Sequence, residues 1–354
     1  MTDSGFLLYG ATGFTGRLIA RLALAYGLRP ILGGRDAAKL GALAAEPGLE
    51  HRAFPLTDPS RVRAALEGVG AVLNCAGPFI HTFKPMADAC LARGVHYTDI
   101  TGEIDVFEAL AARDAEAKGA GVTLLPGTGF DVVPTDCVAA HLKRRLPSAV
   151  RLVLAIKGSG RLSRGTRTTM VENQHRGGAI RKDGRIVRVP AAWKTRDIDF
   201  GRGPVPAVTI PWGDVATAWY STGIGDIEVY AAVPPVLRRA LAATNHLRPL
   251  LRMKWITSLQ KRRIRNGPAG PGEGELTHGK SFIWGMVEDA AGQRAVSLLS
   301  GPNGYTLTAH AALIILRRVL AGSTPAGFQT PSSACGPDLV LEIPGVQRED
   351  VLDP

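Results

Sequence analysis

Apolar runs of strand length alternate with amphipathic stretches through the first 145 residues. Phe6-Leu7-Leu8-Tyr9 is followed by glycines at 10, 13 and 16, and then by Arg17 to Leu24, whose aliphatic positions recur at helical spacing. The pattern predicts strand, tight turn and helix. Further strands are expected at 30–32, 49–54, 71–75, 95–99 and 122–125, with helices over about 84–93 and 105–119 and one opened by Pro134 and reaching Leu146. Six strands alternating with helices predict an α/β fold, a Rossmann-type, doubly wound parallel sheet.

Beyond Pro147 the period changes. A strand at 150–156, a hairpin within 180–189 around Asp183-Gly184, strands at 215–221 and 226–233, and a last hairpin pairing 280–288 with 294–300 predict an inserted α+β domain with a mostly antiparallel sheet. One helix is expected near 166–176. Residues 234–265 read as helical, 266–274 as a glycine- and proline-rich loop, and Tyr305 to Leu320 as an amphipathic helix.

Composition adds bounds. At 354 residues, with 45% hydrophobic and 21% charged residues, two globular domains are expected. The four cysteines, at 75, 90, 137 and 335, show no C-x-x-C pairing, so neither a metal site nor a disulfide framework is predicted, and a reducing compartment fits. The start of the chain leads straight into the first strand, leaving no room for a signal peptide, and no apolar stretch has the length of a membrane span. A cytoplasmic protein is expected.

The net charge of +11 concentrates in 234–265, where nine Arg and Lys residues lie among Leu, Met and Trp. That segment could dock an acyl carrier protein or an anionic membrane surface peripherally; a solvated basic helix is the plainer reading. No nucleic-acid module accompanies the charge, so nucleic acid is not an expected partner.

Candidate chemistry gathers at predicted strand ends. Gly10 permits the turn, Gly13 lets backbone approach a pyrophosphate, and Gly16 lets helix pack on strand, with Thr12, Phe14 and Thr15 completing the cofactor turn. Arg35, first after the second strand, and Lys39 one helical turn on favour NADP by meeting a 2′-phosphate, while Asp36 keeps NAD as the less favoured option. Asp58 lies where an adenine would sit, although Asp58-Pro59 also reads as a helix cap. The loop Ala76-Gly77-Pro78-Phe79 should run beside the nicotinamide.

Tyr97 and Asp99 share one strand face, so a tyrosine proton donor held by a carboxylate is conceivable; the alternative is a core tyrosine and a turn-capping aspartate. Glu103, Phe130 and Asp131 stand in neighbouring loops as substrate-binding candidates, and Asp131 could equally cap the helix near Pro134. Thr166 and His175, on the embedded helix, are candidates from the second domain.

Gly10 to Gly16, Gly34-Arg35, Asn74 to Phe79, Tyr97 to Glu103 and Gly129 to Asp136 together resemble the saccharopine dehydrogenase-like oxidoreductases, nearest the branch holding bacterial trans-acting enoyl reductases. Gly304-Tyr305-Thr306 and Thr324 to Gly327 extend the resemblance weakly and imply a chain that returns to the nucleotide domain. Domains of 1–147 with 304–354, and 148–303, are expected on that basis. The resemblance implies NADP(H) and hydride transfer, with reduction of an enoyl or related acyl, lipid-like substrate, small or carrier-bound, favoured. A saccharopine dehydrogenase-type imine reductase is the first alternative, and a catalytically silent, membrane-associated or scaffolding NADP-binding protein the second. A homodimer completes the expected partners.

Overall fold

The computed structural model describes residues 5–158 and 160–351. β1 (Gly5–Tyr9) leads into α1 (Phe14–Ala25), β2 (Pro30–Gly34), α2 (Ala37–Ala45), β3 (His51–Ala53), α3 (Pro59–Ala64), β4 (Val69–Asn74), α4 (Phe83–Arg93), β5 (His96–Asp99), α5 (Ile104–Ala111), α6 (Asp114–Gly119) and β6 (Thr123–Leu125). Local chemistry sets the boundaries. Asp36 and Asp58 cap α2 and α3 by accepting backbone N–H groups, with Pro59 opening α3, and Gly94 closes α4 at φ 65°. The single helix expected over 105–119 is two: Arg113 stands between them and forks onto Asp88 and Glu116 at 2.6 and 2.8 Å.

The chain continues through α7 (Val133–Arg145), β7 (Arg151–Gly158), α8 (Arg164–Asn173), β8 (Gly178–Lys182), β9 (Arg185–Val189), β10 (Thr195–Asp199), β11 (Pro204–Thr209), α9 (Asp214–Thr222), β12 (Asp226–Ala232), α10 (Pro235–Ala243), α11 (Arg248–Leu251), α12 (Lys254–Asn266), α13 (Glu273–His278), β13 (Lys280–Glu288) and β14 (Arg294–Pro302). It ends with α14 (Gly304–Leu320), β15 (Gly327–Phe328), α15 (Pro331–Cys335) and β16 (Gln347–Val351).

Two compact units result, Met1–Val133 with Tyr305–Cys335, and Pro134–Gly304 with Gly336–Pro354. This moves the expected boundary from 147 to 133 and assigns 336–354 to the second unit. The reason is packing. A Cβ on Gly285 of β13 would lie 2.5 Å from Val138, so α7 belongs against the second sheet, and β16 pairs with β14.

The first unit holds a parallel sheet in the order β15-β6-β5-β4-β1-β2-β3. The order in which successive strands are laid down reverses between β1 and β4, which lie side by side and parallel with Tyr9 opposite Asn74. In such sheets that switch point, at the strand carboxyl ends, is where ligands bind. Beneath it sits a core that includes Leu7, Val72, Met86, Tyr97 and Leu110.

The second unit is built on a mixed, mostly antiparallel sheet, β10-β11-β12-β7-β13-β14-β16, in which only β12 and β7 among these neighbours run parallel. The strand expected at 215–221 is helix α9. Gly213 and Gly223, the latter at φ 70°, bracket it, and consecutive residues from Asp214 to Ala218 are buried, so burial overrides the β preference of Val, Thr, Trp and Tyr. The hairpin β10–β11 went unread. Asp199 accepts from Gly201 and Arg202 N–H in its turn, and Gly201 and Gly203 take φ 87° and 88°.

Candidate functional site

The three glycines of the first turn do different work. A Cβ on Gly10, at φ 84°, would lie 2.9 Å from the Ala76 nitrogen, so this turn presses against the loop after β4. On Gly16 a Cβ would come 2.4 Å from the Gly10 carbonyl oxygen and 2.9 Å from Ala11 Cα, so α1 packs directly on the turn. Gly13 differs: it is exposed, and a Cβ there would meet only the Gly10 carbonyl oxygen, at 3.1 Å. An open backbone at the start of a twelve-residue helix fits a pyrophosphate, since unpaired N–H groups and the helix dipole favour an anion there.

Thr12, Phe14 and Thr15 flank this opening. The Thr12 carbonyl accepts from Arg17 Nε at 3.1 Å, and the Phe14 ring stands edge-on to Tyr305 of α14, centroids 5.1 Å apart, so the returning helix braces the turn. Arg35 is exposed just past β2, near enough to Tyr9 for its charge to oppose the burial that raises the Tyr9 phenol. Lys39 pairs with Asp36 at 2.7 Å, and that contact holds the Asp36 carboxyl below its ordinary value. Asp36 is thereby engaged in its own helix. Asp58 likewise accepts from Ser60 Oγ at 2.6 Å and from two backbone N–H groups of α3.

The loops after β4, β5 and β6 are knitted together by buried polar side chains. Tyr97 is fully buried and its hydroxyl donates to Asp99 Oδ2 at 2.7 Å. Asp99, also fully buried, accepts at Oδ1 from the N–H groups of Thr101 and Gly127, both at 3.0 Å, joining the β5 and β6 loops. Asn74 Oδ1 accepts from Ala76 N–H, and its Nδ2 donates to Thr82 Oγ1 and more weakly to the Tyr97 hydroxyl. Glu103 reaches back with both oxygens, accepting from Phe79 N–H at 2.7 Å and Ile80 N–H at 3.1 Å. The segment Ala76 to Phe79 is therefore held from both sides, by Asn74 and by Glu103.

Electrostatics follow enclosure. Burial pushes the Tyr97 phenol well above its ordinary value, the Asp99 charge adding to it, and burial with the same Asp99 charge raises the Cys75 thiol. Burial lifts Asp99 to about 6 against the hydrogen bonds it accepts. Asp131 is also pushed up to about 6, first by burial and then by the Glu103 charge. Among the described residues no hydrogen bond reaches its carboxylate, which sits 2.9 Å from where a Gly102 Cβ would be. Phe130 next to it is fixed by its N–H donating to Thr308 Oγ1 at 2.9 Å.

Residues 6–125 match the family model described as the saccharopine dehydrogenase NADP binding domain. This stretch is an NADP-binding domain of the saccharopine dehydrogenase type. The domain is similar to the trans-acting enoyl reductase of Mycobacterium leprae, 33% identical over 148 residues, and to a putative trans-acting enoyl reductase of Mycobacterium tuberculosis, 33% identical over 138 residues. These matches cover 40% and 37% of the chain and 35% and 33% of the relatives, so the likeness spans about a third of each relative's length. Over nearly the whole chain the fold resembles the apo saccharopine dehydrogenase (L-Glu forming) of Saccharomyces cerevisiae, with a TM-score of 0.66, 13% identity and coverage of 99% of this chain and 100% of that one. The cofactor of the NADP-binding domain is NADP(H), and the open turn at Gly13 and the exposed Arg35 fit its pyrophosphate and 2′-phosphate.

Thr166 and His175 lie in the second unit. Thr166 N–H donates to Ser163 Oγ, which caps α8, and His175 follows α8 in a short turn, its pKa lowered by burial and by Arg176. Sequence reasoning missed Asn74, Thr82, Thr101 and Thr308, which hold the loops of the NADP-binding domain. An asparagine closing an apolar strand was the available signal, because buried amides are placed to satisfy backbone groups.

Proposed function

We propose that the chain is an NADPH-dependent reductase acting on an unsaturated acyl or lipid-like substrate. The observation that carries this reading is Asp131, a carboxylate raised to about 6, without a hydrogen-bond partner among the described residues, in the loop after β6 of an NADP-binding domain. When bound, NADPH supplies a hydride. The chain's own residues do the rest. Gly13 and the start of α1 hold the pyrophosphate, Arg35 the 2′-phosphate, and the doubly clamped segment Ala76 to Phe79 walls the nicotinamide side.

Asp131 is the candidate source of the second ingredient, a proton, which its carboxyl carries below about pH 6 and in a minority of molecules at neutral pH. For an enoyl thioester the hydride goes to Cβ and the proton to Cα, giving the saturated thioester. Tyr97 and Asp99 act as positioning residues, since their polar atoms are spent on each other and on the loops. The enoyl preference is supported by the names of the relatives of the NADP-binding domain. An imine substrate is the second reading, supported by the likeness of fold to the yeast saccharopine dehydrogenase across 99% of the chain.

The test is NADPH oxidation followed by absorbance with enoyl thioesters and imines in parallel. Asp131→Asn should lower kcat by about 10²-fold or more while leaving NADPH affinity unchanged. Turnover of neither class despite tight NADPH binding would replace both readings with a silent NADP-binding scaffold.

A further inference from the structure

The stretch from Val229 to Gly272 contains no Asp or Glu, although it is 44 residues long and carries nine Arg and Lys residues. Its three helices, α10 to α12, lie on the surface of the second unit. No residue of α11 or α12 is buried. Large apolar side chains are left in solvent along all three: Val236 is 76% exposed, Trp255 61%, Leu259 49% and Leu247 47%, and Leu250 and Met253 are exposed too. Scattered single exposures of this kind are ordinary, but a run of them is not.

Helix α12 sorts its residues by face. Ile256, Gln260, Lys261 and Ile264 recur at helical spacing and are half-buried; Gln260 bonds Gln174 at 2.7 Å and Lys261 pairs with Glu172 of α8. Opposite them Trp255, Leu259 and Arg262 follow at i, i+4 and i+7, with Arg263 beside them, all exposed. Arg239, Arg252, Lys254 and Arg265 are exposed as well, and Glu172 is occupied by Lys261. The face therefore pairs an apolar ridge with a surround of cations and no acid.

We infer that α10 to α12 form a peripheral docking surface for an anionic lipid bilayer, the apolar side chains entering the interface and the arginines meeting the headgroups. Charge complementarity selects the lipid type, and Trp, Leu, Val and Met in one run select a bilayer over an acidic protein patch, which would need the cations but not so wide an apolar exposure. The helices lie in the interface plane: no described helix is long and apolar enough to cross a membrane. The inference stands apart from the reductase reading, because vesicle binding needs neither substrate nor turnover.

The experiment sediments the full chain with vesicles of phosphatidylglycerol in phosphatidylcholine and with phosphatidylcholine alone. Binding is expected to the anionic vesicles only, weakening as salt rises. The double variant Arg262→Glu, Arg263→Glu should lower the partition coefficient by at least about 25-fold, roughly fivefold for each cation. Trp255→Ser with Leu259→Ser should weaken binding without changing its salt dependence. NADPH titration of each variant reports that the first unit is intact, and the melting curve that the second is. Equal uptake by both vesicle types, or unchanged binding by both variants, overturns the inference. So does absence of vesicle binding in a protein that captures a purified acyl carrier protein through Arg262 and Arg263.

Discussion

The glycines of the first turn separate folding from binding at single positions. A methyl on Gly16 has nowhere to go, so Gly16→Ala should cost about 1–3 kcal/mol by overpacking and lower the melting temperature. Gly13, at φ −71°, has a backbone conformation that suits alanine, and its Cβ would press only on the Gly10 carbonyl oxygen, at 3.1 Å, a milder clash than at Gly16. Gly13→Ala should lower the melting temperature less than Gly16→Ala and weaken NADPH and NADH about equally, by about tenfold or more, because it adds bulk to the exposed turn at the start of α1. Arg35→Asp should weaken NADPH by about tenfold or more and spare NADH; equal losses in fluorescence titration would remove Arg35 from the 2′-phosphate. The cofactor roles of Gly13 and Arg35 are expectations from spacing, whereas the packing role of Gly16 is seen in the turn itself. The engagement of Asp58 as a cap was readable too; that of Asp36, expected instead as an NAD-favouring acid, emerges only from its bond to Lys39 N–H, and it leaves Arg35 as the candidate to select the cofactor. What spacing did not tell is that Tyr97 is sealed, because a tyrosine on a strand reads equally as a core residue and as a proton donor.

Among elements, β5 and its loop decide the shape of the candidate site. Asp99 keeps its proton to about pH 6 in the native state, whereas the unfolded chain releases it near the ordinary carboxylate value. Between those points the native state binds more protons, so this group erodes stability as pH rises from about 4 to 6, by at most ~1.4 kcal/mol per pH unit. Asp99→Asn removes that slope while keeping acceptor oxygen for Thr101 and Gly127. Urea unfolding of both proteins should show the wild type losing ground to the variant over this window and a constant difference above pH 7. Glu103→Gln leaves one of the N–H groups of Phe79 and Ile80 facing an amide donor, at a cost of about 1–3 kcal/mol, and should raise KM for NADPH. Tyr97→Phe tests positioning against proton donation: a positioning role predicts lower stability and a modest fall in kcat, with the pH profile of kcat retained. The strands of this sheet were legible because buried parallel strands are nearly continuous apolar runs. Helix α9 was not, since Val-Ala-Thr-Ala-Trp-Tyr carries strand-like residues in a segment whose glycine brackets and buried run from Asp214 to Ala218 accompany a helix.

For the whole molecule, the two-part architecture was visible in the change of period near Pro147, but its seams were not. Period reports which face of an element is apolar, and α7 has the same period whichever sheet it covers; a glycine at 285 that admits Val138 decides the matter. The last strand, Gln347–Val351, carries one apolar residue, Val351, preceded by Gln, Arg, Glu and Asp, and is held by backbone pairing to β14. Removing residues 347–354 should expose the β14 edge and break the Asp350 contacts to His141 and Ser297, lowering the melting temperature by several degrees. The weave of the chain also sets an order of manufacture. The NADP-binding unit begins at the first strand, yet its seventh strand and the helix whose Tyr305 braces Phe14 are translated only after the whole 171-residue excursion from Pro134 to Gly304. At roughly 5–20 residues per second, a ribosome holds that sheet unfinished, with the β6 edge uncovered, for on the order of ten seconds or more. A chaperone present during synthesis should therefore dwell on nascent chains stalled before residue 305 and release those carried beyond residue 335.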